Sequence, residues 1–220
     1  MNTLVSHQAG PLPMDRSWFL EVNAFARATP WLHGPMRLYA HYGVVVFAVL
    51  LLWSWWTARG AGDVRAVAAA VWAPAGALLA LGVNQPIVHA VQEQRPYTTL
   101  PHVLVLISRS ADYSFPSDHA VMAGAVTAGV LLVSRKVGLV SAVAALLMCW
   151  ARVYVGAHYP GDVLVGLLVG AAVAVAGYLV LGRLVRALVG AISRTSLRPL
   201  VTAAPDRVRS GEVTVPTLDR

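Results

Sequence analysis

A chain of 220 residues that is 57% hydrophobic and only 12% charged is too apolar for an ordinary soluble domain, and its repeated apolar runs of about 20 residues place it in the membrane class. The formal charge of +7 does not point to nucleic acid, because the basic residues gather at the ends of apolar runs and in the C-terminal stretch, as a topology signal does. The single Cys149 excludes an intrachain disulfide and a multi-cysteine metal site, and it reads as a small core residue.

The chain opens without a basic region, apolar core and small-residue cleavage site in succession, so no removable signal peptide is expected. Residues 1–13, with Gly10, Pro11 and Pro13, read as irregular. In residues 14–29, Trp18, Phe19, Val22, Phe25 and Ala26 fall near helical spacing, with Asp15, Arg16, Glu21 and Arg27 between them. That pattern predicts an amphipathic helix lying at the membrane interface; a helix packed on the bundle fits it equally. A first span is predicted over 36–57, ending in Trp53, Trp55 and Trp56 at headgroup level. A second covers 66–91; Pro74 and Pro86 interrupt it, and its far end, with Asn84, Gln85, His89, Gln92 and Glu93, is unusually polar. Residues 94–117 read as a loop. A third span covers 118–133, and a fourth, after a tight basic turn at Ser134, Arg135 and Lys136, covers 137–154. A fifth starts near Pro160 and runs to about Leu181, with Gly166 and Gly170 spaced for close helix packing. The expected fold is an all-α membrane protein, a bundle of about five transmembrane helices with an N-terminal amphipathic interfacial helix. Residues 1–192 form one membrane-embedded domain, and residues 193–220 a flexible cytoplasmic tail.

Five spans place Arg59, Arg65, Arg135, Lys136, Arg183, Arg186, Arg194 and Arg198 on one side, which the positive-inside rule makes cytoplasmic. Residues 94–117 and 152–162 then share the outer face. These segments hold the charge that the chain otherwise lacks. Arg152 ends one apolar run; His158 and Asp162, with Pro160 and Gly161 between them, open the next. Ionisable groups at such a boundary are functional candidates. A carboxylate in the first turn of a helix can fix the tautomer of an imidazole just outside it, leaving the other ring nitrogen free to attack or to accept a proton. Arg95-Pro96-Tyr97 and Phe115-Pro116-Ser117-Asp118-His119 lie at the same depth. Arginine forks match phosphate oxygens, and the backbone amides of residues 117–119 at a helix start favour an anion. The combined groups call for a phosphate, and no serine nucleophile elbow is present.

Arg95-Pro96, then Pro116-Ser117-x-His119, then Arg152-x5-His158-x3-Asp162 resemble, in order and spacing, the three signature motifs of the type-2 phosphatidic acid phosphatase family. Asp118 and the lead-in from Asp112 to Phe115 resemble its bacterial undecaprenyl-diphosphate phosphatase branch. The resemblance implies that His158 is a nucleophile forming a phosphohistidine, that Asp162 orients it, and that His119 protonates the leaving group. Arg95, Ser117, Asp118 and Arg152 are the implied phosphate-binding residues. It implies no metal and no cofactor, and Asp112, Asp118 and Asp162 lack a ligand spacing. The expected partners are a lipid diphosphate, most simply undecaprenyl diphosphate, and the bilayer. A lipid monophosphate such as phosphatidic acid or phosphatidylglycerol phosphate is the alternative substrate, and a non-catalytic lipid-binding scaffold the alternative of another class. One position departs from the family pattern: Val88 stands where the family carries a lysine. Asp118 repels a phosphate, and its other readings are favouring the helix N-terminus or holding Arg109. Taken singly, Arg95 and Arg152 also fit snorkelling anchors, Ser117 an N-cap, and His158 with Asp162 a structural pair.

Overall fold

Proline and glycine punctuate the helices of the computed structural model, which describes residues 11–203. Among the described residues there are eight α-helices and no strand: α1 (Pro13–Ala28), α2 (His33–Tyr42), α3 (Val44–Ala61), α4 (Val64–Val91), α5 (Pro96–Thr99), α6 (Asp118–Val133), α7 (Arg135–Tyr154) and α8 (Pro160–Ile192). Proline stands in the first turn of α1, α5 and α8, where its fixed φ suits the helix and its missing donor is not needed. Gly62, at φ +66°, ends α3, and Asp63 caps α4 by accepting from the Arg65 amide at 2.8 Å.

Within the described residues, α3, α4, α7 and α8 are long and apolar enough to cross a membrane, whereas α6 is apolar but only 16 residues long. The short helix is the centre of the bundle. Val121, Ala123, Ala125, Val126 and Val130 are buried around its circumference, as expected of a helix apolar on all sides. It packs on α8 with almost no side-chain spacing: a Cβ on Gly170 would overlap the Val121 carbonyl, and one on Gly124 the Leu167 carbonyl. Dispersion contacts at that separation hold the pair where lipid supplies no hydrophobic driving force.

The structure differs from the sequence reading at three places. The first span is broken at Gly43, between α2 and α3, where the absent Cβ leaves room for the Met148 side chain of α7. Helix α8 continues to Ile192 rather than about Leu181; its 33 residues measure about 50 Å at 1.5 Å per residue, so the Arg183–Arg186 end outruns a hydrocarbon core of about 30 Å. Residues 193–203 fold back on α3: Trp55 Nε1 donates to the Leu200 carbonyl at 3.0 Å, the Ala203 amide donates to the Arg59 carbonyl at 3.0 Å, and Val201 is buried. The expectations for residues 1–10 and 204–220 lie outside the described residues.

Helix α1 packs one face, Phe19, Asn23 and Ala26, against the bundle and leaves Met14, Trp18, Leu20 and Phe25 exposed. Asn23 closes a two-way bond with Leu104, donating to its carbonyl at 2.8 Å and accepting from its amide at 3.0 Å. Asp15 accepts from the Gly161 amide at 2.7 Å, which satisfies an orphan donor in the first turn of α8.

Gly170→Ala is expected to lower the thermal midpoint of the detergent-solubilised protein, with an overpacking cost of about 1–3 kcal/mol. Gly82→Ala, where nothing lies within 4 Å of the added Cβ, is expected to leave the midpoint at or above the parent value. Equal midpoints for both variants contradict the close α6–α8 contact.

Candidate active site

The ends of α4, α6, α7 and α8 that carry the motif residues meet at one end of the bundle. Gln92, at φ +53°, terminates α4 in the left-handed region and turns the chain toward Arg95. Arg95 is extended, as the residue before a proline must be. Arg152 sits in the last turn of α7. Gly156 then turns at φ +81° under the Leu104 carbonyl, against which a Cβ would press, and this delivers His158 back beside Arg152. Asp162 lies in the first turn of α8.

His158 is buried, at 2% exposure, and its two ring nitrogens face different partners. Nδ1 is 2.9 Å from the Ser114 carbonyl and 3.3 Å from Asp162 Oδ2. Nε2 is 3.2 Å from Arg95 Nη1 and 3.2 Å from Arg152 Nη2. Guanidinium nitrogens only donate, so this network assigns the proton to Nδ1 and the lone pair to Nε2. Burial first, then the charges of Arg152 and Arg95, hold the imidazole well below its ordinary value of 6.5. It is therefore neutral at neutral pH, the form a nucleophile requires.

Both guanidinia are 8% exposed. Arg95 donates through Nε to the Asp112 carbonyl at 2.9 Å and through Nη1 to the Ala157 carbonyl at 3.1 Å. Arg152 donates through Nη1 to the Ala40 carbonyl at 3.4 Å, and its Nε has no partner. Among the described residues neither arginine pairs with a carboxylate; the ion pair there is His158 with Asp162. Two buried cations without a counter-anion are costly, and an anion between them relieves that cost.

Asp162 is tied by Oδ2, which accepts from Ser114 Oγ at 2.5 Å and from the Tyr159 amide at 2.8 Å. Ser117 occupies the N-cap position of α6 but makes no side-chain capping bond; its hydroxyl is buried and unpartnered. Its amide donates to the Asp162 carbonyl at 3.1 Å, so of the amides at residues 117–119 it is already committed. His119 lines the cavity with Arg95, Arg152 and His158, over a volume of about 740 Å³. Asp118 also lines it, yet Asp118 Oδ1 accepts from Asn84 at 2.8 Å and from Gln85 at 3.1 Å. An acceptor-only carboxylate offers an anion no donor, and this geometry ties Asp118 to α4. Arg109, the other partner considered for it, lies over the Tyr97 ring at 5.6 Å. Among the described residues no group of three or more His, Cys, Asp or Glu side chains is placed to hold a metal ion.

The sequence reading missed Ser114. Its carbonyl accepts from the imidazole and its hydroxyl donates to Asp162, so one residue of the long loop binds both members of the His–Asp pair. Adjacency to Phe115-Pro116-Ser117 was the available signal, and spacing along a loop does not reveal a partner 44 residues away.

The family model described as the PAP2 superfamily matches residues 69–186, from within α4 to near the end of α8. The chain belongs to the PAP2 superfamily. The undecaprenyl-diphosphatase BcrC of Bacillus subtilis is 31% identical over 156 residues, which cover 71% of this chain and 78% of that protein. Decaprenylphosphoryl-5-phosphoribose phosphatase of Mycobacterium tuberculosis is 38% identical over 102 residues, 46% of this chain and 55% of that protein. The crystal structure of a transmembrane PAP2-type phosphatidylglycerolphosphate phosphatase from Bacillus subtilis superposes with a TM-score of 0.53 at 21% identity, covering 83% of this chain and 90% of that one. This PAP2 protein is an integral membrane phosphatase related to the undecaprenyl diphosphatases. The PAP2 match includes every motif residue from Arg95 to Asp162 and leaves α1–α3 outside.

Ser114→Ala removes a hydrogen bond to a buried carboxylate, a type of interaction that contributes about 1.5–3 kcal/mol. The expected result is a fall in kcat of about 10–100-fold with KM near the parent value, restored in part by Ser114→Thr. An unchanged kcat removes Ser114 from the positioning of His158.

Proposed function

We propose that this enzyme hydrolyses the terminal phosphate of a lipid diphosphate, most simply undecaprenyl diphosphate, through a phosphohistidine at His158. The observation that carries the reading is the neutral Nε2 lone pair held between two buried guanidinia that lack a carboxylate partner. Arg95 and Arg152 bind the non-bridging oxygens of the terminal phosphate. Ser117 contributes its hydroxyl. Nε2 attacks phosphorus in line, the bond from phosphorus to the bridging oxygen breaks, and His119 gives a proton to the departing lipid phosphate. Asp162 keeps the Nδ1 proton in place and stabilises the charge that develops on the ring. Water, deprotonated by His119, then attacks the phosphohistidine and releases inorganic phosphate. The name of the Bacillus subtilis relative BcrC supports the diphosphate substrate. A lipid phosphomonoester is the second reading, supported by the name of the Mycobacterium tuberculosis relative.

In the proposed topology α6 is a fifth membrane-embedded segment and the exposed apolar face of α1 lies in the interface. Residues 1–192 form one domain, the remaining 193–220 are cytoplasmic, and the active site opens at the outer face. The clustering of Arg59, Arg135, Lys136, Arg183 and Arg186 at the helix ends opposite His158 supports that orientation.

The test is phosphate release by the purified protein in detergent with a chelator, offered undecaprenyl diphosphate and phosphatidic acid in parallel. Faster release from the diphosphate is expected. His158→Ala is expected to abolish turnover, and Asp162→Asn to lower kcat by about 100-fold or more. Faster turnover of phosphatidic acid contradicts the substrate, and full activity in His158→Ala contradicts the mechanism.

A further inference from the structure

A lipid diphosphate carries a second phosphate between the terminal one and the lipid, and the groups assigned above serve the terminal one. The walls of the cavity differ in what they offer that second anion. On α4 and α6, Val88 offers no charge and the Asp118 carboxylate repels a phosphate, while Gln85, His89 and His119 are the side chains there that can donate.

Helix α2 also borders the cavity, through His41. Arg37 and His41 lie one turn apart on it, on the same helix face. Neither makes a side-chain hydrogen bond or an ion pair among the described residues, and His41 meets only the edge of the Tyr42 ring, at 4.5 Å between centroids. His41 lines the 740 Å³ cavity of the catalytic residues and also a neighbouring cavity of about 410 Å³ that contains Arg37. The two cavities share Ile107 and Ser108 as well, so His41, Ile107 and Ser108 border both.

Helix α2 is held in register with the catalytic residues. Arg152, which donates to His158 through Nη2, donates through Nη1 to the carbonyl of Ala40, the residue before His41. Tyr39 Oη donates to the Ala144 carbonyl of α7 at 2.8 Å. The cation that faces the terminal phosphate thus also fixes the backbone that presents His41.

We propose that His41 and Arg37 form a subsite for the lipid-side phosphate of a polyprenyl diphosphate, and that this subsite sets the preference for diphosphates over lipid monophosphates. The subsite rests on the phosphatase reading given above and adds to it a residue-level basis for substrate choice. The leaving phosphate sits beside His119, where it needs its proton, and the first apolar carbons of the lipid pass Leu38 and Leu106, which line the outer cavity. Arg37 and His41 precede the segment matched by the family model.

The test compares the parent with Arg37→Gln, His41→Gln and the double variant. One readout is the ratio of kcat/KM for undecaprenyl diphosphate to that for phosphatidic acid. A second is the ratio of competitive inhibition constants for methylenediphosphonate and inorganic phosphate, which needs no turnover of the monophosphate. In the double variant both ratios are expected to shift toward the monophosphate by about tenfold or more, the effect of losing one charge-assisted hydrogen bond. Unchanged ratios, or an equal loss of affinity for both anions, overturn the subsite. Absence of diphosphate turnover in the parent overturns the diphosphate reading instead, and the inhibitor ratio still reports on His41 and Arg37.

Discussion

Two buried guanidinia meet a single imidazole nitrogen, and among the described residues no carboxylate pairs with either. The arrangement is unfavourable when empty, because guanidinium ions removed from water need a counter-charge or a full set of acceptors. Arg95 is supplied with backbone carbonyls, while Arg152 is left with an unpartnered Nε. Burial, and after it the same positive pair, keeps His158 neutral, with its lone pair pointing at the place an anion would take. Affinity for phosphate and readiness for attack thus come from one buried, positively charged corner of the bundle. Coulombic interactions are strong in so poorly solvated a site and cost no reorganisation when they are preset.

Holding that feature is the task of the fold. The bundle gives its apolar length to the membrane and collects polar chemistry at one end. Close contact of α6 with α8, permitted by Gly124 and Gly170, fixes the two helix starts that carry His119 and Asp162 relative to each other. Asp15 of α1 holds the start of α8, and Asn23 holds the 103–107 stretch against which Gly156 turns. Ser114 then joins the loop to both His158 and Asp162. Elements far apart in the chain therefore converge on one ring whose placement must be good to a fraction of an ångström.

Much of this was legible in the sequence, and the reasons are physical. Apolar runs of bilayer length reveal α3, α4, α7 and α8, because lipid imposes their length. Alternation of short turns reveals which helix ends share a side, and that places Arg95, His119, Arg152 and His158 together. What escaped depends on contacts between distant segments. The break at Gly43 answers to Met148 of α7, and the docking of residues 193–203 answers to Trp55 and Arg59 of α3. Asp118 lines the cavity and takes the amides of Asn84 and Gln85, whose positions only the packing of α4 on α6 sets. Ser114 carries no local pattern of its own, and its partners lie 44 and 48 residues away.

The measurement that bears most directly on the central claim is chemical trapping of the intermediate. Enzyme mixed with the lipid diphosphate would be quenched in alkali within a turnover, digested, and the phosphopeptides mapped with the position of phosphate on the ring determined. The account predicts phosphate on His158, attached at Nε2, the nitrogen that faces both guanidinia. Phosphate at Nδ1, phosphate on His119, or turnover with no phosphorylated histidine would contradict it.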